Sequence, residues 1–513
     1  MPQHRPGAGD PALTSRVLDR LALEVQQLRQ DLLAGEAEFE DELARVHPDN
    51  RASARNLVHY LALRRHDVRA LQLRLARVGL SSLGRSESHV LVTVDRVLAM
   101  LALARGGEPA EVEPPPVGFR QGERILARNA RRLLGVRRPH RAVRIMVTLP
   151  REAADEPRFA HDLIAAGMDC ARINCARDDA AAWAAMADNV RAAQLVLGRE
   201  CRILADLGGR KLRTGPVAGG AKRLLVAIGD RFEMLCDTEA TPVRDGSLPR
   251  IACSAPALFD AARPGQPIWF DDGAIGGVIE QRTDTGLLIR VTHARPEGSK
   301  LRPDRGINVP ETVLLLPAVT AKDLLDLASV VDWTDAIELS YVQEPQDVLA
   351  LHDVLDRHGA HDVNVVLKIE TRLGFSNLPR LLLTAMRRRT CGVMIARGDL
   401  AVEAGFERMA EMQEEILWIA EAAHVPTIWA TQVMDELATH GTLSRAEITD
   451  AAMSARAEAV MLNKGPFIVD AIRALDDILA RMKDHQSKKR ALYRALRVST
   501  SLWPEAQPPS SRS

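Results

Sequence analysis

Along this chain the rhythm of apolar and polar positions changes twice. From Leu13 to about Arg138, apolar residues recur every three or four positions in LTSRVLDRLALEVQQLRQDLL, NLVHYLALRRHDVRALQLRLARVGL and SHVLVTVDRVLAMLALARG. That spacing predicts amphipathic helices, and no strand-like run interrupts it. The third stretch stops at Gly106-Gly107, and Pro114-Pro115-Pro116 beyond it reads as a stiff spacer. Residues 1–138 are therefore expected to form a helical module and linker.

From Arg144 onward short apolar runs alternate with helical stretches. The runs are RIMVTLP, DCARIN, RILADL, DAIELSYV, NVVLKIE, GVMIARGDL, VPTIWATQV and AEAVMLNKG. Stretches such as EPRFAHDLIAAG, AEMQEEILWIAEAAH and SRAEITDAAMSARA separate neighbours. Eight alternating strand and helix units predict an α/β fold, a (β/α)8 TIM barrel with its working rim at the carboxyl ends of the strands. The span between the third and fourth runs follows another pattern. It is rich in Gly and Pro, with short β-like pieces KRLLVAIGD, RFEMLCD, QPIWFDDG, AIGGVIEQR and GLLIRVTHA. We expect a small inserted β-barrel able to act as a lid. The expected boundaries are 139–214 and 306–483 for the large barrel, 215–305 for the insert, and 484–513 for a basic, then Ser/Pro-rich, tail whose end is expected to be disordered.

Composition narrows the function classes. With 46% apolar and 27% charged residues among 513, the chain can bury a large core. Lys plus Arg and Asp plus Glu balance at 68 each, so charge points to neither nucleic acid nor a membrane. The start MPQHRPGAGD has no signal-like apolar core, and no run reaches the roughly 20 apolar residues a membrane span needs. The six cysteines lack CxxC pairs or a disulfide rhythm and read as reduced core thiols. A cytoplasmic protein is expected. The arginines 64, 65, 69, 74 and 77 read as a solvated helix face.

Candidate chemistry gathers at the ends of three successive runs: Lys368 and Glu370, Asp399, and Thr431. Glu370 and Asp399 on adjacent strands could share one hard divalent cation, Mg2+ (or Mn2+). Lys368, two residues before Glu370, would present its ammonium on the same side, above an oxyanion or a phosphoryl group in transfer. The loop Ala396-Arg397-Gly398-Asp399 precedes a helical pattern, where free backbone amides bind an anion such as a carboxylate. Thr431 could pass a proton to a substrate carbon, and Arg172 adds a phosphate-pairing guanidinium. Singly, such residues are most often solvated or capping groups; their combination on one rim is what points to a site.

These segments resemble the pyruvate kinase family. The resemblance runs from about Arg144 to about Met482 and rests on AGMDCARIN, Asp271-Asp272-Gly273, GINVPE, LPAVTAKD, LKIE, ARGDLAVE, ATQVM and Ser444 to Glu447. It implies transfer of phosphate between phosphoenolpyruvate and ADP, giving pyruvate and ATP, as in glycolysis. By resemblance, Glu370 and Asp399 hold Mg2+, Gly398 and Asp399 bind the substrate carboxylate, Lys368 stabilises the phosphoryl group and enolate, and Thr431 transfers a proton. Arg172 then meets the substrate phosphate, while Asn174, Arg213 and Lys322 lie near the nucleotide. A homo-oligomer is expected.

Several positions depart from the family pattern. Its monovalent-cation site keeps Asn174 and Asp206, but Ala176 and Leu207 replace two hydroxyl residues. Lys211 stands where potassium-dependent relatives have Glu, so potassium is not expected to be required. Arg177, Gly209-Arg210, Thr148-Leu149-Pro150 and MLNKGPFIVDAI also differ from the family. The family's carboxyl-terminal α/β domain finds no counterpart after Met482, and sugar-phosphate activation through it is not expected. Two other functions remain open on sequence alone: a weakened relative serving as a regulatory scaffold through residues 1–138, and a Mg-dependent enolpyruvate lyase or aldolase.

Overall fold

The computed structural model describes residues 15–236, 248–253, 255–314, 316–488 and 490–491. The readings of residues 1–10 as lacking a leader and of the end of the tail as disordered lie outside these residues. Eight parallel strands close into a barrel: Arg144–Thr148, Cys170–Asn174, Arg202–Asp206, Ala336–Leu339, Asn364–Ile369, Cys391–Ala396, Thr427–Val433 and Ala459–Leu462. Their sequence order is also their order around the barrel, and the eighth pairs with the first from Arg144 beside Ala459 to Val147 beside Leu462.

Because strand side chains alternate with a period of two, every strand feeds one set of residues outward to the helices and one inward. The inward set begins with Met146, Cys170, Leu204, Ala336, Val366, Met394, Ile428 and Ala459, which pack as one buried cluster. Two residues further along the same face come Thr148, Arg172, Asp206, Glu338, Lys368, Ala396, Ala430 and Met461. The lower layer is a dry floor, and the layer above it is mostly polar and buried.

Between the third and fourth strands the chain makes a second closed barrel of seven strands, from Leu212–Val217 to Gly306–Asn308. Phe232, Phe270, Ile279, Leu287 and Ile289 fill it, with Phe232 and Phe270 edge to face at 5.7 Å. Its strand Arg250–Cys253 has no counterpart among the expected pieces, and Leu224–Val226 pairs outside the barrel with Ser299–Leu301. The Asp271-Asp272-Gly273 turn has φ of 55°, 52° and 89°, and a side chain on Gly273 would meet Val402 of the large barrel at 3.1 Å. Glycine there allows both the left-handed backbone and the close approach.

The amino-terminal region is helical, with helices at Ser15–Glu38, Arg51–Arg64, Arg69–Arg77, Val90–Ala104 and Gln121–Leu134. The stretch expected as one long helix breaks after Arg64, where Asp67 accepts from the Arg69 amide at 3.2 Å and starts a new one. The region is docked on the barrel by polar ties as well as apolar contact. Asn50 donates to the carbonyls of Met386 and Arg388 at 3.1 and 2.9 Å, and Asn56 donates to that of Ala422 at 2.8 Å. Arg64 lies over the Trp418 ring at 4.9 Å and Arg74 pairs with Glu24, while Arg64, Arg65, Arg69 and Arg77 stay exposed on a solvated face. The last helix puts Leu133 and Leu134 into the barrel's floor cluster. Five described cysteines are buried as expected, but Cys236 is exposed. No helix among the described residues is long and apolar enough to cross a membrane.

Candidate active site

The polar upper layer of the large barrel is a connected charge network. Lys368 is inward because Val366 is, and its ammonium donates to Asp206 at 2.8 Å and Ser340 at 2.7 Å, with Glu370 at 3.3 Å. Arg172 uses all three guanidinium nitrogens: toward Asp206, toward Glu338 at 3.0 Å and toward Thr148 at 2.8 Å. Asp206 therefore links the two cations from the second and fifth strands.

Electrostatics follow from burial. Burial works against the Lys368 ammonium, but Asp206 and Glu370 outweigh it and raise its pKa. Burial also works against ionised Asp206, yet Arg172 and Lys368 hold its carboxyl below the usual range. Glu338, fully buried, is pushed to about 7; Arg172 opposes the shift and Asp206 reinforces it. Burial pushes the Glu370 carboxyl up as well, with Lys368 pulling against it and Asp399 adding to it. That crowding of buried Glu370 against part-buried Asp399, both oxygen donors, suits a hard divalent cation. Among the described residues no group of three or more His, Cys, Asp or Glu is gathered for a metal. Two carboxylates completed by substrate oxygens is the manner in which Mg2+ is commonly held.

The sixth strand ends at Ala396, and the helical pattern expected after the Ala396–Asp399 loop begins at once, as a helix over Arg397–Ala404. Ala396 supplies no capping side chain, so first-turn amides at Gly398 and Asp399 remain as anion donors. A side chain on Gly398 would come within 2.8 Å of the Thr431 methyl, so the two residues are in direct opposition. Thr431 and Gln432 sit at φ of 73° and 57°, a bend that interrupts the seventh strand's pairing. Arg397 braces this bend by donating to the carbonyls of Ala430 and Thr431 at 2.9 and 2.6 Å, while lying over Trp429 and pairing with Asp450.

Lys211 reaches both oxygens of Asp399, at 3.1 and 3.2 Å, and Asp272 of the smaller barrel at 3.3 Å. Burial opposes its charge, but the two acids prevail and raise its pKa. Asn308, on the smaller barrel's last strand, donates to Asp399 and Glu403 at 3.3 Å each. The smaller barrel thus leans over the rim beside Asp399.

The other expected residues occupy the neighbouring edge. Asn174 accepts from the Ala176 amide at 2.9 Å. Arg213 and Arg177 both pair with Asp304, at 3.3 and 2.9 Å, across the mouth between the barrels. Lys322 binds Asp326 at 2.5 Å and the Cys175 carbonyl at 2.9 Å, and lies over Trp183, so its ammonium is engaged beside Asn174.

Glu338, Ser340 and Tyr341 join the site without having been singled out in the sequence, whereas Asn308 and Arg397 stood inside quoted motifs, GINVPE and ARGDLAVE, without a role assigned to them. Glu338 had a signal: it is a lone acid two residues after Ala336 in an otherwise apolar four-residue strand, hence inward. Tyr341 had none, because its place depends on a turn, and for Asn308 the motif gave no contact, which depends on how the inserted barrel returns.

Residues 140–466 match the family described as pyruvate kinase, barrel domain. A pyruvate kinase of Mycobacterium intracellulare is 32% identical over 353 residues, 67% of this chain and 71% of the relative. One from Clostridium perfringens is 28% identical over 369 residues, 68% of this chain and 75% of the relative. One from Bacillus licheniformis is 30% identical over 348 residues, 66% of this chain and 57% of the relative.

Proposed function

The chain belongs to the pyruvate kinase family, and from that premise we propose that it moves the phosphoryl group of phosphoenolpyruvate to ADP, yielding ATP and pyruvate. The observation that carries this reading is the convergence of Lys368, Arg172, Glu370 and Asp206 in one buried network, beside Asp399 and the Gly398–Thr431 opposition. Glu370 and Asp399 would hold Mg2+ (or Mn2+), which supplies neutralising charge for substrate oxygens.

The protein's own groups account for the remaining work. Arg172 spends three N–H donors on Asp206, Glu338 and Thr148, which leaves two of the five a guanidinium owns for a phosphate. Lys368 is fixed by two neighbours, so its charge is already oriented when negative charge develops on the enolate oxygen. Amides at Gly398 and Asp399 take the substrate carboxylate, which aligns the three-carbon skeleton. Loss of the phosphoryl group leaves an enolate, and the Thr431 hydroxyl hands a proton to its terminal carbon, directly or through water. Asn174, Arg213 and Lys322 flank the nucleotide phosphates, and the smaller barrel excludes water over the cleft.

Potassium has no role in this reading. Ala176 and Leu207 offer no hydroxyl ligands, and the Lys211 ammonium already stands against Asp399. The test is a coupled assay with ADP, phosphoenolpyruvate and Mg2+. ATP and pyruvate formed in equal amounts support the proposal; an enolpyruvate cleavage product without ATP, or no turnover by folded protein, overturns it.

A further inference from the structure

Between the two acids that would hold the cation stands a residue outside the expected set. Tyr341 follows the fourth barrel strand by two positions and adopts φ of 54°, a left-handed conformation that a bulky aromatic residue rarely takes. Both sides of its peptide backbone are held. Its amide donates to Glu370 at 2.5 Å. Its carbonyl accepts twice from Arg210, at 2.7 and 3.2 Å, and that guanidinium is itself anchored to Asp347 at 2.8 Å. Arg210 therefore holds Tyr341 in the strained state, and Tyr341 in turn holds Glu370.

The phenol lies on the same boundary. It is buried, 9% exposed, and its hydroxyl lies toward Asp399 without completing a hydrogen bond of full geometry. Burial pushes the phenol's pKa up, and the negative charges of Asp399, Glu370 and Asp272 push it the same way. Asp399 has both oxygens taken by Lys211, one of them shared with Asn308. A buried O–H donor beside an acceptor-only carboxylate that Lys211 and Asn308 already hold is placed to be used when one of them lets go.

We propose that Tyr341 is a positioning residue for the divalent-cation site, its amide fixing Glu370 and its phenol O–H taking up Asp399 when a cation competes with Lys211 for that carboxylate. The backbone half acts whether or not a cation is present. The phenol half acts on exchange: as Asp399 turns from the ammonium, the hydroxyl donates to the oxygen given up by Lys211. Tyr341 touches no reacting atom in this account, and the inference rests on the reading of Glu370 and Asp399 as the cation's ligands.

The experiment is Mn2+ binding to the full chain, followed by the electron paramagnetic resonance of free Mn2+, for the unsubstituted protein, Tyr341→Phe and Asp399→Asn. Tyr341→Phe keeps the ring and removes only the hydroxyl; its thermal midpoint checks the fold. The expected result is a five- to tenfold weaker Mn2+ affinity in Tyr341→Phe, with KM for the metal raised in parallel and kcat at saturating metal little changed. A purely structural tyrosine would not produce that split. Unchanged affinity in Tyr341→Phe, beside normal binding by the unsubstituted chain and loss in Asp399→Asn, overturns the inference alone. No binding by the unsubstituted chain, or full binding by Asp399→Asn, overturns the cation reading and the inference with it.

Discussion

Gly398 and Thr431 allow a sharp test of whether the rim is built to tight tolerance. In Gly398→Ala the new methyl would lie 2.8 Å from the Thr431 methyl, against about 3.5–4.0 Å for a comfortable carbon contact. One of the two must move by about 1 Å. Thr431 has little freedom, being β-branched, at φ of 73°, and braced through its carbonyl by Arg397 at 2.6 Å. Displacing a group in the reacting geometry by about 1 Å costs roughly 10²-fold in rate, about 2.7 kcal/mol in barrier. Thr431→Ser deletes the obstructing methyl and keeps the hydroxyl, so Gly398→Ala should be tolerated in its presence. The assay is kcat for ATP formation across the double-mutant cycle, with a thermal midpoint for each variant. We expect a positive coupling of about 2 kcal/mol, as for residues in contact. Full activity in Gly398→Ala, or losses that simply add in the double variant, would refute the claim that this glycine exists to seat Thr431.

Lys368→Met should lower turnover by ~10³-fold, about 4 kcal/mol, through lost charge stabilisation; retention of a tenth of the activity in a folded variant argues against its role. Replacing potassium by tetramethylammonium should change the rate less than twofold, and a tenfold fall would contradict the reading of Lys211. His424, buried between Ser53, which donates to Nδ1, and the Ser88 carbonyl, which accepts from Nε2, is neutral, and burial lowers its pKa to about 4. The unfolded chain, titrating near 6.5, binds more protons than the fold below that pH. The fold's advantage is therefore complete above about 6.5 and shrinks as pH falls toward about 4, by roughly 3 kcal/mol in all. Urea midpoints from pH 7 to 4.5 should fall less steeply in His424→Gln, and equal slopes would contradict this.

The barrel was readable because each parallel strand is a compact apolar run, and its inward chemistry stands at the run's end: Lys368 and Glu370, Asp399, Thr431. DAIELSYV hid its contribution. There Glu338 alternates with Ala336, which sets it inward, and Ser340 follows in step, but only the strand's pairing beside Asp206 shows that it faces Arg172. Tyr341 was out of reach because a left-handed φ in a non-glycine residue is imposed by tertiary contacts, here Arg210 and Glu370. At Ala396 the apolar run continued into ARGDL, and the strand nonetheless ends because the chain turns directly into a helix. Periodicity in the amino-terminal region identified helices but not their destination. Polar side chains such as Asn50 and Asn56, which bind barrel carbonyls, look like ordinary surface residues in sequence.

Leu133 and Leu134 close the floor of a barrel whose walls are drawn from residues 144 to 462. During synthesis this helix leaves the ribosome before any wall strand, and its two leucines have no site until the circle is complete. Contacts so distant in sequence form late, and apolar surface left waiting invites aggregation. Closure of the circle and seating of its stopper therefore depend on one another. A chain shortened to begin at residue 139 would retain every wall and lose the stopper.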